Sequence, residues 1–123
     1  MLCSCSMSRD VEIARQAVER FHQQVSAGQY DAIYDAADPA YKQSLTREAN
    51  RNFFSRIRLK TGAFQNAKNT GYFVNTATKG TFVRLRYKTL CCNGELDEQF
   101  ILRIEGNRAT LVRYEASSAD LRL

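Results

Sequence analysis

Few residues in this chain are equipped to do chemistry. There is a single histidine, His22, directly after Phe21, and four cysteines arranged as two close pairs, Cys3 with Cys5 and Cys91 with Cys92. Structural zinc sites separate paired thiolates by about two to four residues, so neither spacing suits a metal. Adjacent cysteines on a strand point to opposite faces, and Cys91 and Cys92 are therefore expected as unlinked thiols. Asp35 and Asp38 precede the only proline, Pro39; they could enter a cavity as acids or serve as cap and turn residues. No nucleophile motif, glycine-rich phosphate loop or ligand cluster is present, so the sequence assigns no catalytic residue, no metal and no cofactor.

The start of the chain carries a further motif. Leu2-Cys3-Ser4-Cys5 resembles the end of a bacterial lipoprotein cleavage box: an aliphatic residue, a variable one, a small one, then the cysteine that receives lipid. The resemblance implies lipidation at Cys5 and a place at the cell envelope, in the periplasm. A cytoplasmic chain is the alternative.

These groups must be positioned by a small scaffold. The 123 residues are 44% hydrophobic and 25% charged, with six glycines and one proline, which suits one domain with a real core and excludes disordered or fibrous chains. No stretch approaches the roughly 18 apolar residues of a membrane span. The net charge of +5 is compatible with an acidic partner, an anionic surface or nucleic acid, and equally with ordinary solubility. A leader over residues 1–8, a domain over 9–118 and a tail over 119–123 are expected.

From Asp10, the residues Val11, Ala14, Ala17, Val18, Phe21 and Val25 recur at helical spacing until Gly28. His22 lies beside that stripe and is expected to be half-exposed. A short helix fits residues 30–37, ending ahead of Pro39, and a third fits 46–60, with Ala49, Phe53, Phe54 and Ile57 inward. Beyond Gly62 the period falls to two, and strands are expected over 72–78, 81–92, 95–105 and 108–117. The fold class is α+β: three N-terminal helices packed on a curved four-stranded antiparallel meander.

Asn93-Gly94 and Gly106-Asn107 are two-residue hairpin signals, and such turns set register. On this register Tyr87 faces Phe100, Leu85 faces Leu102 and Val83 faces Ile104, all on the helix side. The next strand adds Ala109, Leu111 and Arg113, so the inward positions read carry no Asp or Glu. The row Tyr87, Phe100 and Arg113, with Tyr34 and Asp35 from the second helix, is the candidate ligand pocket. Arg113 there either binds an anionic group or is held by a salt bridge or solvent. On the outer face Arg84 stands opposite Arg103. With Arg86, Ile101, Val112 and Tyr114 they form a candidate association face.

The long first helix, the Ala27-Gly28-Gln29-Tyr30-Asp31 step into a Tyr34-bearing helix and the hairpin-linked strands resemble the nuclear-transport-factor-2-like superfamily, with its cystatin-like fold. The resemblance covers roughly residues 10–116. It implies a cone between helices and sheet, which enzymes of the superfamily furnish with carboxylates, histidines and tyrosines, whereas other members only associate. With so few such groups here, the expectation is a non-enzymatic bacterial binding or association domain. Its expected partners are a second copy of the chain, making a homodimer, and a small apolar or anionic ligand. Membrane contact is expected only through a lipid anchor at Cys5. The alternatives are an isomerase- or dehydratase-like enzyme using the cone, and nucleic-acid or acidic-partner binding by the basic sheet face; nucleic acid is not the favoured partner.

Overall fold

The structure is a computed structural model that describes residues 2–123, with side chains from Met7 onward. Among the described residues, helices α1 (Leu2–Ser26), α2 (Tyr30–Ala36), α3 (Pro39–Ser44) and α4 (Arg47–Thr61) precede strands β1 (Phe64–Ala77), β2 (Gly80–Cys91), β3 (Gly94–Glu105) and β4 (Arg108–Ser117). The strands form one antiparallel sheet in the order β1-β2-β3-β4. This is the α+β arrangement expected, with one helix more.

Helix α1 crosses the sheet and touches all four strands. It begins at Leu2 rather than Asp10, running through the segment expected as an unstructured leader. No glycine or proline interrupts residues 2–10, and Asp10 pairs with Arg9 at 3.7 Å. Cys3 and Cys5 lie outside the residues whose side chains are described, and the lipidation expectation with them. The extra helix, α3, arises because Asp38 does not merely end α2. Its carboxylate accepts the Ala40 N–H at 3.0 Å, capping a new turn that has Pro39 at its first position. Tyr41 of α3 is buried and donates to Asn50 Oδ1 at 2.6 Å. Asn50, fully buried on α4, donates in turn to the Tyr30 carbonyl at 2.9 Å. That chain of bonds ties α2, α3 and α4 together.

The sheet departs from the expected register in two places. The β2–β3 turn is centred on Cys92 and Asn93, with Cys91 opposite Gly94, and not on Asn93-Gly94. The loop after α4 holds it there: the Cys92 N–H donates to the Ala63 carbonyl and the Asn93 N–H to the Thr61 carbonyl, each at 2.9 Å. A turn moved by one residue shifts pairing by two, so the faces survive while the partners change. Leu85 pairs with Phe100, Tyr87 with Glu98 and Thr89 with Leu96. Arg84 accordingly faces Ile101, and Arg103 faces Phe82; the opposed arginines do not occur.

The second departure lies in β4. Leu102 pairs with Leu111 but Ile101 pairs with Arg113, which leaves Val112 as the extra residue of a bulge. Beyond it the strand's faces are exchanged, so Tyr114 turns inward opposite Phe100 and Arg113 turns outward. Strand β1, expected over 72–78, begins at Phe64 instead and carries two such irregularities, at Gln65 and Thr70. Its helix-facing residues are Phe64, Ala67, Asn69, Tyr72 and Val74, opposite Cys91, Thr89, Tyr87, Leu85 and Val83. Two parity switches hide the alternation, so only the last part of this strand is readable by period.

Between the layers the core is aromatic. Phe21 of α1 meets Phe100 edge-on at 5.0 Å between ring centroids and Phe54 at 5.6 Å, and Tyr114 packs 5.1 Å from Phe100.

Candidate functional site

Beside this aromatic cluster a polar group is held in the interior. Glu98, on the helix-facing side of β3, is only 4% exposed. Its Oε1 lies 2.8 Å from His22 Nε2 and also accepts the Thr89 hydroxyl, while Oε2 accepts the hydroxyl of Tyr114. Three donors from α1, β2 and β4 therefore compensate one buried carboxylate, as burial requires. Burial, reinforced by the neighbouring Glu98 charge, pushes the Tyr114 hydroxyl well above its ordinary pKa, so it stays a donor.

His22 is 7% exposed, not half-exposed as its place beside the stripe suggests. It follows Val18 by one helical turn, and its ring stacks on Phe64 at 4.9 Å and 17°. Tyr87 meets it edge-on at 5.9 Å. With Nε2 engaged by the carboxylate, Nδ1 points away from Glu98 and has no hydrogen-bond partner among the described residues. No side-chain nitrogen or oxygen among these residues is both fully buried and unpartnered, so Nδ1 keeps some accessible surface, and the ring of His22 lines both the small hollow beside Glu98 and a larger groove.

The larger groove runs between α1 and β1, with a cavity volume of about 890 Å³. Its floor is apolar, from Val18, Phe64, Ala67 and the ring of Tyr87, with His22 set into it. Burial pushes the Tyr87 hydroxyl up to about 12. The rim carries Glu12, Arg15 and Glu19 of α1 and Asn69 of β1. Arg15 Nε donates to Asn69 Oδ1 at 3.1 Å, a strap from helix to strand. Asn69 is held in turn by its bonds to the Gly71 and Arg86 carbonyls, at 3.1 and 2.9 Å, beside the Thr70 bulge. The space between the helices and the sheet is by contrast nearly full. The hollow among Phe21, Phe54, Thr89, Glu98 and Tyr114 measures about 30 Å³, and that between α1, α2 and the sheet about 100 Å³.

The residues expected to form a ligand pocket are not brought together. Tyr87 lines the groove, but Phe100 is fully buried in the core. Arg113 sits on the outer face, 3.1 Å from Glu115, with both side chains at least half exposed. Asp35 pairs with Arg47 at 2.5 Å on the surface, and the Tyr34 hydroxyl is spent on the Lys42 and Leu45 carbonyls. The expected association face is also reduced. Tyr114 leaves it for the core, and Val112 occupies the bulge. Arg103 is drawn to Asp38 at 2.7 Å and over the Phe82 ring at 4.8 Å. Arg84 and Arg86 remain exposed there beside the partly buried Ile101, Arg84 lying over the exposed ring of Phe73 at 5.6 Å. Cys91 and Cys92 are unlinked, Cys91 buried and Cys92 exposed.

Glu98 is the functional residue that sequence reasoning misses, since the inward positions it sets out include no acid. The signal was present: Glu98 lies two positions before Phe100 and two after Leu96, so alternation alone sets it inward. His22 was similarly legible as the residue four after Val18 and three before Val25.

No protein-family model matches this chain, and comparison with curated proteins gives no match either.

Proposed function

We propose that this is a non-enzymatic binding domain of nuclear-transport-factor-2-like architecture, and that it takes a small, largely apolar ligand in the groove between α1 and β1. The observation that carries this reading is the contrast in volume. The cone has about 30 Å³ left among its aromatic rings, too little for a substrate, while the groove offers about 890 Å³, within the range of small-molecule sites. The floor is apolar and the polar groups are confined to the rim and His22, the usual division of labour between affinity and orientation.

One observation favours the enzymatic alternative. A carboxylate-backed imidazole with a free nitrogen at a groove is an arrangement that can move a proton. Burial pushes the Tyr87 hydroxyl up to about 12, so it serves there as a donor and not as a base, and the carboxylates of Glu12 and Glu19 stand exposed at the rim. The nucleic-acid alternative is weakened by acids on the same face. Lys88 lies within 3.6 Å of Glu95 and 3.4 Å of Asp97, and Arg113 is paired with Glu115.

The test is titration with 2-methoxynaphthalene, followed by backbone amide shifts of the full chain. Saturable shifts at Val18, Phe64 and Ala67, abolished by Ser26→Trp at the exposed groove edge, are expected. Absence of saturable shifts, or shifts confined to a separate surface hollow around Tyr41, Leu45 and Ile101, would overturn the reading.

A further inference from the structure

The same groove also specifies a ligand chemistry, and this inference rests on the binding reading above. The geometry points to a flat apolar ring system bearing a neutral, acidic hydroxyl, which it donates to His22 Nδ1. Three observations lead there. Nε2 lies 2.8 Å from a buried carboxylate oxygen, and a carboxylate can only accept, so Nε2 carries the proton. In the neutral imidazole the other nitrogen is then a bare acceptor, and its tautomer is set by Glu98 rather than by the ligand. Thr89 and Tyr114 hold Glu98 from two other strands, so the imidazole is presented in one orientation.

The surroundings of Nδ1 select the rest of the ligand. Phe64 lies parallel to the imidazole at 4.9 Å, and Tyr87 meets it edge-on. These rings, with Val18 and Ala67, offer planar apolar contact to whatever reaches Nδ1. The rim places the carboxylates of Glu12 and Glu19 against the single guanidinium of Arg15, and Arg15 is already engaged by Asn69 and lies 3.9 Å from Glu12. A fully ionised anion meets two like charges there. A phenol-like or enol-like molecule arrives neutral and meets an acceptor.

The experiment uses two probes that differ only at the hydroxyl, 2-naphthol and 2-methoxynaphthalene, at about pH 8.5, above the ordinary imidazole pKa of ~6.5. His22 is the only histidine, so histidine labelled with nitrogen-15 gives one imidazole whose two nitrogens are read directly. A protonated Nε2, a bare Nδ1 and a shift of Nδ1 on adding 2-naphthol are expected. Binding of 2-naphthol is expected to be about five- to tenfold tighter than that of its methyl ether, the worth of one hydrogen bond. His22→Phe should erase that preference. Equal affinity of the two probes for the wild type, or a proton on Nδ1, overturns the inference and leaves the groove reading standing. Failure of both probes to bind removes the groove reading itself. The labelled wild-type spectrum decides the matter even where His22→Phe does not fold.

Discussion

The bulge at Val112 makes a prediction that a regular hairpin reverses. With the bulge, Tyr114 points inward and donates to the Glu98 carboxylate, and Arg113 points out, 64% exposed and paired with Glu115. Without it, Arg113 would be the buried residue and Tyr114 the exposed one. Tyr114→Phe keeps the ring packing against Phe21, Phe54 and Phe100 and deletes only the hydroxyl. A hydrogen bond to a charged group contributes about 1.5–3 kcal/mol. Glu98 keeps its His22 and Thr89 donors, so a loss of about 2 kcal/mol is expected. At roughly 4 °C per kcal/mol for a domain of this size, the melting temperature should fall by about 8 °C. Arg113→Ala should change stability by less than about 0.5 kcal/mol. Urea unfolding of both variants against the wild type is the assay. A costlier Arg113→Ala than Tyr114→Phe would refute the bulge and the inward Glu98 site together.

Two further outcomes follow from the capping and turn contacts. Burial opposes the Asp38 carboxylate, but its bonds from Arg103, the Ala40 N–H and Thr110 outweigh that and hold its pKa below the ordinary 3.8. A depressed folded pKa gives stability that is complete above the unfolded value and is lost as pH falls through the folded one. Asp38→Asn, which keeps the cap, is therefore expected to cost about 1–2 kcal/mol at neutral pH, and the gap to the wild type should close below about pH 4 in acid titrations of stability; a gap constant with pH would contradict the pairing. Gly62 has φ 74° and its α-carbon faces the β2–β3 turn, where an added Cβ would come within 3.2 Å of the Cys92 Cβ. Gly62→Ala should cost more than about 1 kcal/mol, measured by urea unfolding, and a neutral substitution would show that the loop does not hold the turn.

Much of the scaffold was legible in the residues themselves. Helical spacing marked α1, α2 and α4 because each buries one face, and the break at Gly62 followed from its positive φ at the end of α4. The Gly106-Asn107 turn is legible because its glycine can adopt φ 60° locally, and its first pairs, Ile104 with Ala109 and Leu102 with Leu111, hold. Parity kept Val83, Leu85, Tyr87, Phe100, Leu102 and Ile104 on the core side even though the turn was misplaced by one residue. Glu98 and His22 could have been placed by the same periodicities.

What the chain could not state locally was where those periodicities break. Bulges at Gln65 and Val112 exchange faces without a glycine or proline to mark them, and at Thr70 only the following Gly71 gives a sign. It is this exchange that takes Arg113 out of the expected pocket and puts Tyr114 on Glu98. The β2–β3 turn was drawn off Asn93-Gly94 by backbone bonds to Thr61 and Ala63, contacts from a segment some thirty residues earlier. Local propensity thus determined the elements and their buried faces, because those depend on side chains a few positions apart. Register past a bulge, and with it the meeting of His22, Thr89, Glu98 and Tyr114, was decided only when helices and sheet packed, because only then must each buried donor and acceptor find its partner.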